Sequence, residues 1–181
     1  MYLGAPFNPI LLMLTKNHIT LRLPQLEDLS VLHQWENDSE AWLVSQNATP
    51  VSRTTLTAYI NSVHDIYLQK QLKLMIEHSE FGLSGMVDLF EFDAKNRKVG
   101  LGIYVDKDLR DKNIATDSIV LVQEYAKNIL NLRMIWCTVL SNNKLSLGLF
   151  KKLGYMECGV RREWIENGEK LHDEHMFQLM L

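Results

Sequence analysis

The sequence predicts an α/β fold with a mixed sheet and helices on both faces. A strand that contains Gly100 and Gly102 leads through a charged turn into a long apolar helix, and the nearly all-apolar run 134–140 follows. A helix that connects two strands of one sheet favours parallel pairing, and an apolar run is typical of a strand buried on both faces. The dipeptide Asn167-Gly168 predicts a tight hairpin turn, which adds antiparallel strands.

The composition is that of an ordinary globular domain. Of the 181 residues, 46% are hydrophobic and 23% are charged, and no linker-like segment divides the chain. We therefore expect one domain over 18–181 after an N-terminal arm at 1–17. The formal charge of -3 and the scattered Lys and Arg residues argue against a nucleic-acid partner, and no apolar run is long enough to span a membrane. The apolar arm leaves both a monomer and a homodimer open.

The cysteines indicate a reduced, cytoplasmic protein. Cys137 and Cys158 are the only two, and the first lies inside an apolar run, which does not suit a disulfide scaffold. A thiol in such surroundings is inert, so we do not expect Cys137 to act as a nucleophile.

The first half of the chain predicts two helices between strands. Residues 19–23 alternate apolar and polar side chains before Pro24, as in a strand with one solvated face. Apolar residues at helical spacing then predict helices over 25–36 and 53–69, the second introduced by Ser52. Runs bounded by turn residues predict strands at 72–77, 82–92 and 98–105.

The second half predicts the helix and hairpin that complete the sheet. The long helix runs from about 114 to 130, with Ala115, Ile119, Val122, Ala126 and Ile129 on one face. Asn142 or Asn143 caps a short helix that ends at Gly154. The remaining residues form a hairpin around Asn167-Gly168.

The turn before the long helix suits an anion. The first turn of a helix carries backbone N–H groups without intrahelical partners and the positive end of the macrodipole. Arg110 and Lys112 add charge in the same turn. The sequence therefore predicts a cofactor with a phosphorylated end.

The glycines of the strand before this turn have two interpretations. Gly100 and Gly102 face the same side, so they leave room for a ligand, and a bulge there would turn the N–H groups of 103–105 outward to bind an extended, amide-bearing arm. Alternatively, the glycines only relieve crowding under a helix.

Taken together, these pieces resemble the GCN5-related N-acetyltransferase (GNAT) family. The order strand, R-x-x-x-x-A turn, helix, apolar strand, N-x-x-S and K-L-G-Y matches its acetyl-CoA-binding half. The segments LHQWEND, GMVDLFEFD, NLRMIWCTVLSNN, FKKLGY and WIENGEKLHDEHMFQLML are most similar to the branch that contains ribosomal-protein N-terminal acetyltransferases and spermidine acetyltransferases.

The resemblance implies a mostly antiparallel sheet with one splayed parallel pair, which holds the pantetheine arm of acetyl-CoA. The family's pyrophosphate loop, Q/R-x-x-G-x-G/A, corresponds to residues 110–115, where Asn113 replaces the middle glycine and Asp111 places a carboxylate near the phosphates. Asn tolerates a left-handed backbone, so we expect the loop to form. The implied cofactor-binding residues are Ile103, Tyr104, Val105, Arg110, Asp111, Lys112, Asn113, Ile114, Ala115, Thr116 and Asn143.

The resemblance also implies direct attack of an amine on the thioester in a ternary complex. The family's frequent tyrosine acid corresponds to Phe150, which cannot donate a proton. The N-terminal-acetyltransferase branch has a serine three residues after the asparagine, and Ser146 occupies that place. We therefore assign Ser146 to the thioester sulfur, as a hydrogen-bond donor or a proton relay.

The base and the acceptor are less defined. The family's frequent glutamate corresponds to Gly100, so Asp88 on the neighbouring strand is the candidate for steering the amine and taking its proton through water. Glu36, Asp38 and Glu40 form either an acidic mouth for a cationic acceptor or a solvated helix end. The acceptor is a protein N-terminus or a small polyamine-like molecule. The alternative is a non-catalytic CoA-binding or interaction protein that retains the fold.

The remaining motifs receive no catalytic role. His172 and His175 point to opposite faces of a strand, so the HDEH run does not predict a metal site, and we expect no metal cofactor. The resemblance implies a structural role for Asp173. Trp42 and Trp164 are candidates for lining an acceptor pocket.

Overall fold

The computed structural model describes residues 14–38 and 49–181, and the N-terminal arm up to residue 13, Glu40 and Trp42 lie outside them. The strands are β1 (Leu14–Lys16), β2 (Ile19–Arg22), β3 (Leu72–His78), β4 (Gly82–Asp93), β5 (Lys98–Val105), β6 (Met134–Leu140), β7 (Met156–Asn167) and β8 (Lys170–Met180). The helices are α1 (Leu29–Glu36), α2 (Arg53–Ile60), α3 (Ile66–Gln69), α4 (Ile114–Asn128) and α5 (Lys144–Lys152). Among the described helices, none combines the length and the apolar character needed to cross a membrane.

One sheet contains the eight described strands, in the order β1-β2-β3-β4-β5-β6-β8-β7. The pair β5–β6 is parallel, as the connecting helix α4 predicts, and the other neighbours are antiparallel. β1 lies within the predicted arm and pairs with β2. The predicted mixed sheet is confirmed.

Helices cover both faces of this sheet. Neighbouring residues of a strand point to opposite faces, so Val87 packs with α4 and α5 while Met86 packs with α1 and α2. The larger core lies under α4, and the smaller one is built from Leu32, Trp35, Leu56, Ile60, Met75 and Met86.

Two predicted helices are shorter than expected. The helix over 53–69 breaks after Ile60, because the Asp65 carboxylate accepts hydrogen bonds from the N–H groups of Tyr67 and Leu68 and begins a separate helix. Val63, three residues after Ile60, is therefore 72% exposed instead of extending the apolar face of α2. α4 ends at Asn128, which leaves Ile129 63% exposed rather than on the buried face.

The burial predicted for β6 is wrong on one face. Ile135, Cys137 and Val139 are buried against the larger core, whereas Met134, Trp136 and Thr138, which alternate with them, are partly exposed. β5 and β6 stop pairing after Gly100 and Trp136, so the second half of β6 borders an opening in the sheet.

Candidate active site

The parallel strands β5 and β6 pair only at their beginnings. Their register runs from Lys98 opposite Met134 to Gly100 opposite Trp136 and then stops. Residues 101–105 still pair with β4 on their other side. Because backbone groups of an antiparallel strand alternate between its two sides, every second residue here directs its N–H and C=O toward β6. The predicted segment 103–105 thus borders a cleft whose wall can bind an amide-bearing arm.

The two glycines of β5 have different surroundings. A Cβ on Gly100 would lie 2.4 Å from the Phe90 ring, which packs edge-on against Trp136 at 5.1 Å. Room for a ligand at Gly100 is therefore a wrong prediction: an aromatic ring fills that space. A Cβ on Gly102 would approach Asp88 Cβ no closer than 3.7 Å, which is an ordinary van der Waals contact.

The bulge expected in β5 lies in β4 instead. The β4–β5 register shifts between Phe90 and Asp93, and Glu91 has a left-handed backbone with φ 48°. This extra length in β4 leaves β5 regular along the cleft, so the N–H groups of 103–105 reach the cleft through the splay and not through a bulge.

The turn between β5 and α4 has the geometry of an anion-binding loop. Asp111 (φ 63°) and Asn113 (φ 59°) both adopt the left-handed conformation that favours glycine. Asn113 precedes α4, and its side chain makes no capping hydrogen bond. The first-turn N–H groups of Ile114, Ala115 and Thr116 therefore have no intrahelical acceptor and no cap from that side chain. The loop forms without its glycines, as predicted for Asn113.

Lys112 has a different environment from the one expected. Its ammonium lies 3.8 Å from the centroid of the Phe81 ring, at the β3–β4 turn, and Phe81 stacks on His78 at 4.5 Å. This cation–π contact holds the middle of the loop against the turn. Arg110 lies at the end of the short 3-10 helix Lys107–Leu109.

The beginning of α5 brings Asn143 and Ser146 together. Asn143 Oδ1 accepts a hydrogen bond from the Ser146 N–H at 3.0 Å, so Asn143 is the N-cap, and its side-chain NH2 is not used in this bond. Phe150 is 3% exposed and packs edge-on against Tyr155 at 5.0 Å. The hydroxyl of Ser146 is partly exposed, whereas the position of the family's tyrosine belongs to the core.

Asp88 lies opposite the open part of β5 and contacts a lysine that sequence reasoning missed. Asp88 is paired with Lys73 on β3 and with Gly102 on β5. The Lys73 ammonium donates to Asp88 Oδ1 at 2.5 Å and lies 2.7 Å from Glu36 Oε1. Burial alone lowers the pKa of Lys73, but attraction to Asp88 and Glu36 outweighs it and raises that pKa.

Further carboxylates lie near Tyr104, two residues along β5 from Gly102. Asp38 Oδ2 is 2.9 Å from the Lys107 ammonium, and Trp35 Nε1–H donates to Asp106 Oδ2 at 3.1 Å. Burial, and then the charges of Asp38 and Asp106, raise the pKa of Tyr104, which lies 5.7 Å from Trp35. Trp35 itself is buried core.

The last hairpin contains no metal site among the residues described. Asp173 Oδ1 accepts from the Glu163 N–H at 2.9 Å and Oδ2 from Arg162, so it holds the β7 bulge in a structural role. His175 contacts Glu157. Trp164 is exposed beside Arg161, whose guanidinium lies 5.0 Å from the indole ring.

Cys137 and Cys158 are both free. Burial raises the pKa of Cys137 to about 12, in accord with its predicted inertness.

The sequence matches the family described as the acetyltransferase (GNAT) domain over residues 18–156. The chain belongs to the GNAT family. It is 25% identical to the spermidine N(1)-acetyltransferase of Escherichia coli K12 over 155 residues, 83% of this chain and 80% of the relative. It is 26% identical to the putative ribosomal N-acetyltransferase YdaF of Bacillus subtilis 168 over 176 residues, 90% and 91% of the two chains.

Solved structures confirm the GNAT fold. The spermidine N-acetyltransferase of Vibrio cholerae, in complex with CoA and spermine, superposes with a TM-score of 0.81 at 22% identity, over 91% of this chain and 96% of that one. Its membership of the family makes the chain an N-acetyltransferase with acetyl-CoA as its acetyl donor. The hairpin β7–β8 lies almost wholly beyond residues 18–156, over which the sequence matches the family.

Proposed function

We propose that this acetyltransferase modifies a cationic primary amine of the polyamine class. The observation that carries the proposal is the position of Asp88 on β4, where it is paired with Gly102 in the splayed part of β5. Asp88 and Glu36 share the single ammonium of Lys73, so this cluster has one more carboxylate than it has ammonium groups. Such a surface attracts a polycation. The likeness to spermidine acetyltransferases supports the same acceptor class.

The cofactor-binding residues predicted from the sequence fit acetyl-CoA. The loop 110–116 offers first-turn N–H groups to a diphosphate, and the cleft-facing backbone of 103–105 offers partners to the pantetheine amides. Asn143 can donate its side-chain NH2 to the same arm while it caps α5. When bound, acetyl-CoA supplies an acetyl group already activated as a thioester.

The chain contributes position, polarisation and proton transfer. Holding an amine and a thioester in contact is worth roughly 7 to 11 kcal/mol in ideal cases, so geometry supplies much of the catalysis. A cleft-facing N–H of β5 polarises the carbonyl oxygen. Asp88 orients the acceptor ammonium and receives, through water, the proton that the amine loses. Ser146 donates a hydrogen bond to the departing sulfur, or relays a proton to it.

The test is acceptor-dependent release of free thiol from acetyl-CoA, measured with spermidine, spermine and a peptide with a free N-terminus. We expect turnover with the polyamines and little with the peptide. Turnover with the peptide alone would place the chain with the N-terminal acetyltransferases. CoA binding without turnover on any amine would favour the non-catalytic alternative.

We also infer a cytoplasmic location, because the reaction draws on acetyl-CoA and both cysteines are free.

A further inference from the structure

Lys73 is a buried cation between two carboxylates. Its side chain is 12% exposed, and its ammonium lies 2.5 Å from Asp88 Oδ1 and 2.7 Å from Glu36 Oε1. Met86 Sδ, at 3.8 Å, is a weaker neighbour. The backbone N–H of Lys73 donates to the Tyr59 hydroxyl at 2.9 Å, which fixes this part of β3 against α2.

Lys73 and Asp88 lie in a row of paired residues that leads to the cleft. Lys73, Asp88 and Gly102 stand opposite one another on β3, β4 and β5, so their row runs across one face of the sheet. Gly102 is two residues beyond the last β5–β6 pair, inside the splayed part. Glu36, the last residue of α1, contacts the Lys73 ammonium in this row. Lys73 thus stands behind Asp88 as seen from the cleft.

The described groups that face this cluster come from four elements. They are Glu36 on α1, Tyr59 on α2, Lys73 on β3 and Asp88 on β4, and Gly102 on β5 adds no charge. Glu36 and Asp88 contact the same ammonium, so they lie close to each other. Without that ammonium, the Asp88 carboxylate, whose side chain is 39% exposed, loses its anchor and is repelled by the like charge of Glu36.

We propose that Lys73 is a positioning residue for acetyl transfer: its ammonium holds the Asp88 carboxylate in place at the splayed part of β5. This role rests on the proposed function of Asp88. A structural purpose alone explains the lysine poorly, because apolar residues of similar volume often replace buried ion pairs without loss of stability.

The first experiment measures kcat/KM for spermidine, and KM for acetyl-CoA, in Lys73→Met and Lys73→Arg. We expect Lys73→Met to lower kcat/KM for spermidine about tenfold or more, because Asp88 loses the ammonium that holds it in place. KM for acetyl-CoA should stay within twofold. Lys73→Arg should restore most of the activity. A loss below twofold, or equal losses in both variants with a parallel rise in KM for acetyl-CoA, overturns the proposal.

Lys73→Gln decides the matter if Lys73→Met fails to fold. Glutamine is shorter than lysine and carries no charge, so it should hold Asp88 poorly, and kcat/KM for spermidine should fall while KM for acetyl-CoA stays within twofold. An unchanged kcat/KM in Lys73→Gln contradicts the proposal.

A double-variant cycle separates this inference from the proposed function. If Lys73 acts through Asp88, then Lys73→Met should cost no further activity in an Asp88→Asn background. Losses that multiply overturn the role of Lys73. Full activity of Asp88→Asn alone refutes the proposed base, and any loss in Lys73→Met then arises by another route.

Discussion

One side of the cleft is formed mainly by backbone groups, and the other is formed by charged side chains. The side that suits the cofactor uses backbone: the unpaired edge of residues 101–105, the left-handed Asp111 and Asn113, and the first turn of α4. The side that suits the acceptor uses charged side chains, with Asp88, Lys73 and Glu36 in contact. Backbone tolerates any residue with a compatible φ, whereas a charge network depends on each member. The difference explains why the loop retains its shape without its glycines.

The largest effect should come from the acceptor side. Asp88→Asn removes the proposed base with little change in shape, and general acid–base groups contribute about 10²- to 10⁴-fold. We expect kcat/KM for spermidine to fall by about 100-fold or more, with KM for acetyl-CoA nearly unchanged. Glu91→Gln, an exposed amide substitution on the same strand, is the matched control. An equal rise in both KM values would contradict the division between the two sides.

Alanine substitutions of the two glycines of β5 should differ in their effect on stability. Gly100→Ala drives a methyl group into the Phe90 ring, so we expect about 1 to 3 kcal/mol of destabilisation. Gly102→Ala meets only ordinary contacts and should leave the free energy of unfolding nearly unchanged. Denaturant unfolding of the two variants checks this difference. Equal stabilities would show that Phe90 can move away at no cost.

Substitutions at positions with a left-handed backbone test the side of the cleft that is formed by backbone groups. Asn113→Val places a β-branched side chain at φ 59°, which costs roughly 1 to 2 kcal/mol, and should raise KM for acetyl-CoA. Asn113→Gly should retain affinity. Lys70→Val imposes the same strain at φ 59°, far along the chain from the loop, and should lower stability alone. A shift in KM with Lys70→Val would argue that general destabilisation is responsible.

The two side-chain caps offer the smallest and most closely matched contrast. Asn143→Ala and Ser52→Ala each remove an N-cap acceptor, of α5 and α2 respectively, and each should cost about 1 kcal/mol. Only Asn143→Ala should also raise KM for acetyl-CoA. If both variants change KM equally, Asn143 is a cap and nothing more.

Local patterns predicted most of the fold. The bounds of β5 and β6 follow from their own residues, and their parallel pairing follows from the helix between them. The break before Asp65 was missed, because a capping side chain competes with an otherwise continuous apolar stripe. Such competition depends on a single hydrogen-bonding residue.

The acceptor side could be predicted only in part. The resemblance led to Asp88 because Gly100 occupies the family's glutamate position, but Lys73 contacts Asp88 across strands, and Glu36 reaches the same ammonium from a helix. The Phe90 ring over Gly100 is likewise a cross-strand contact. Contacts of this kind depend on register, which periodicity within one strand does not define.

Hydrogen exchange with and without CoA tests the central claim most directly. If the cofactor side is made of backbone, CoA should slow amide exchange at cleft-facing residues of 101–105 and in the loop 111–116, and leave 86–90 on β4 unchanged. Exchange that CoA leaves unaltered in both segments, although it binds, would contradict the account.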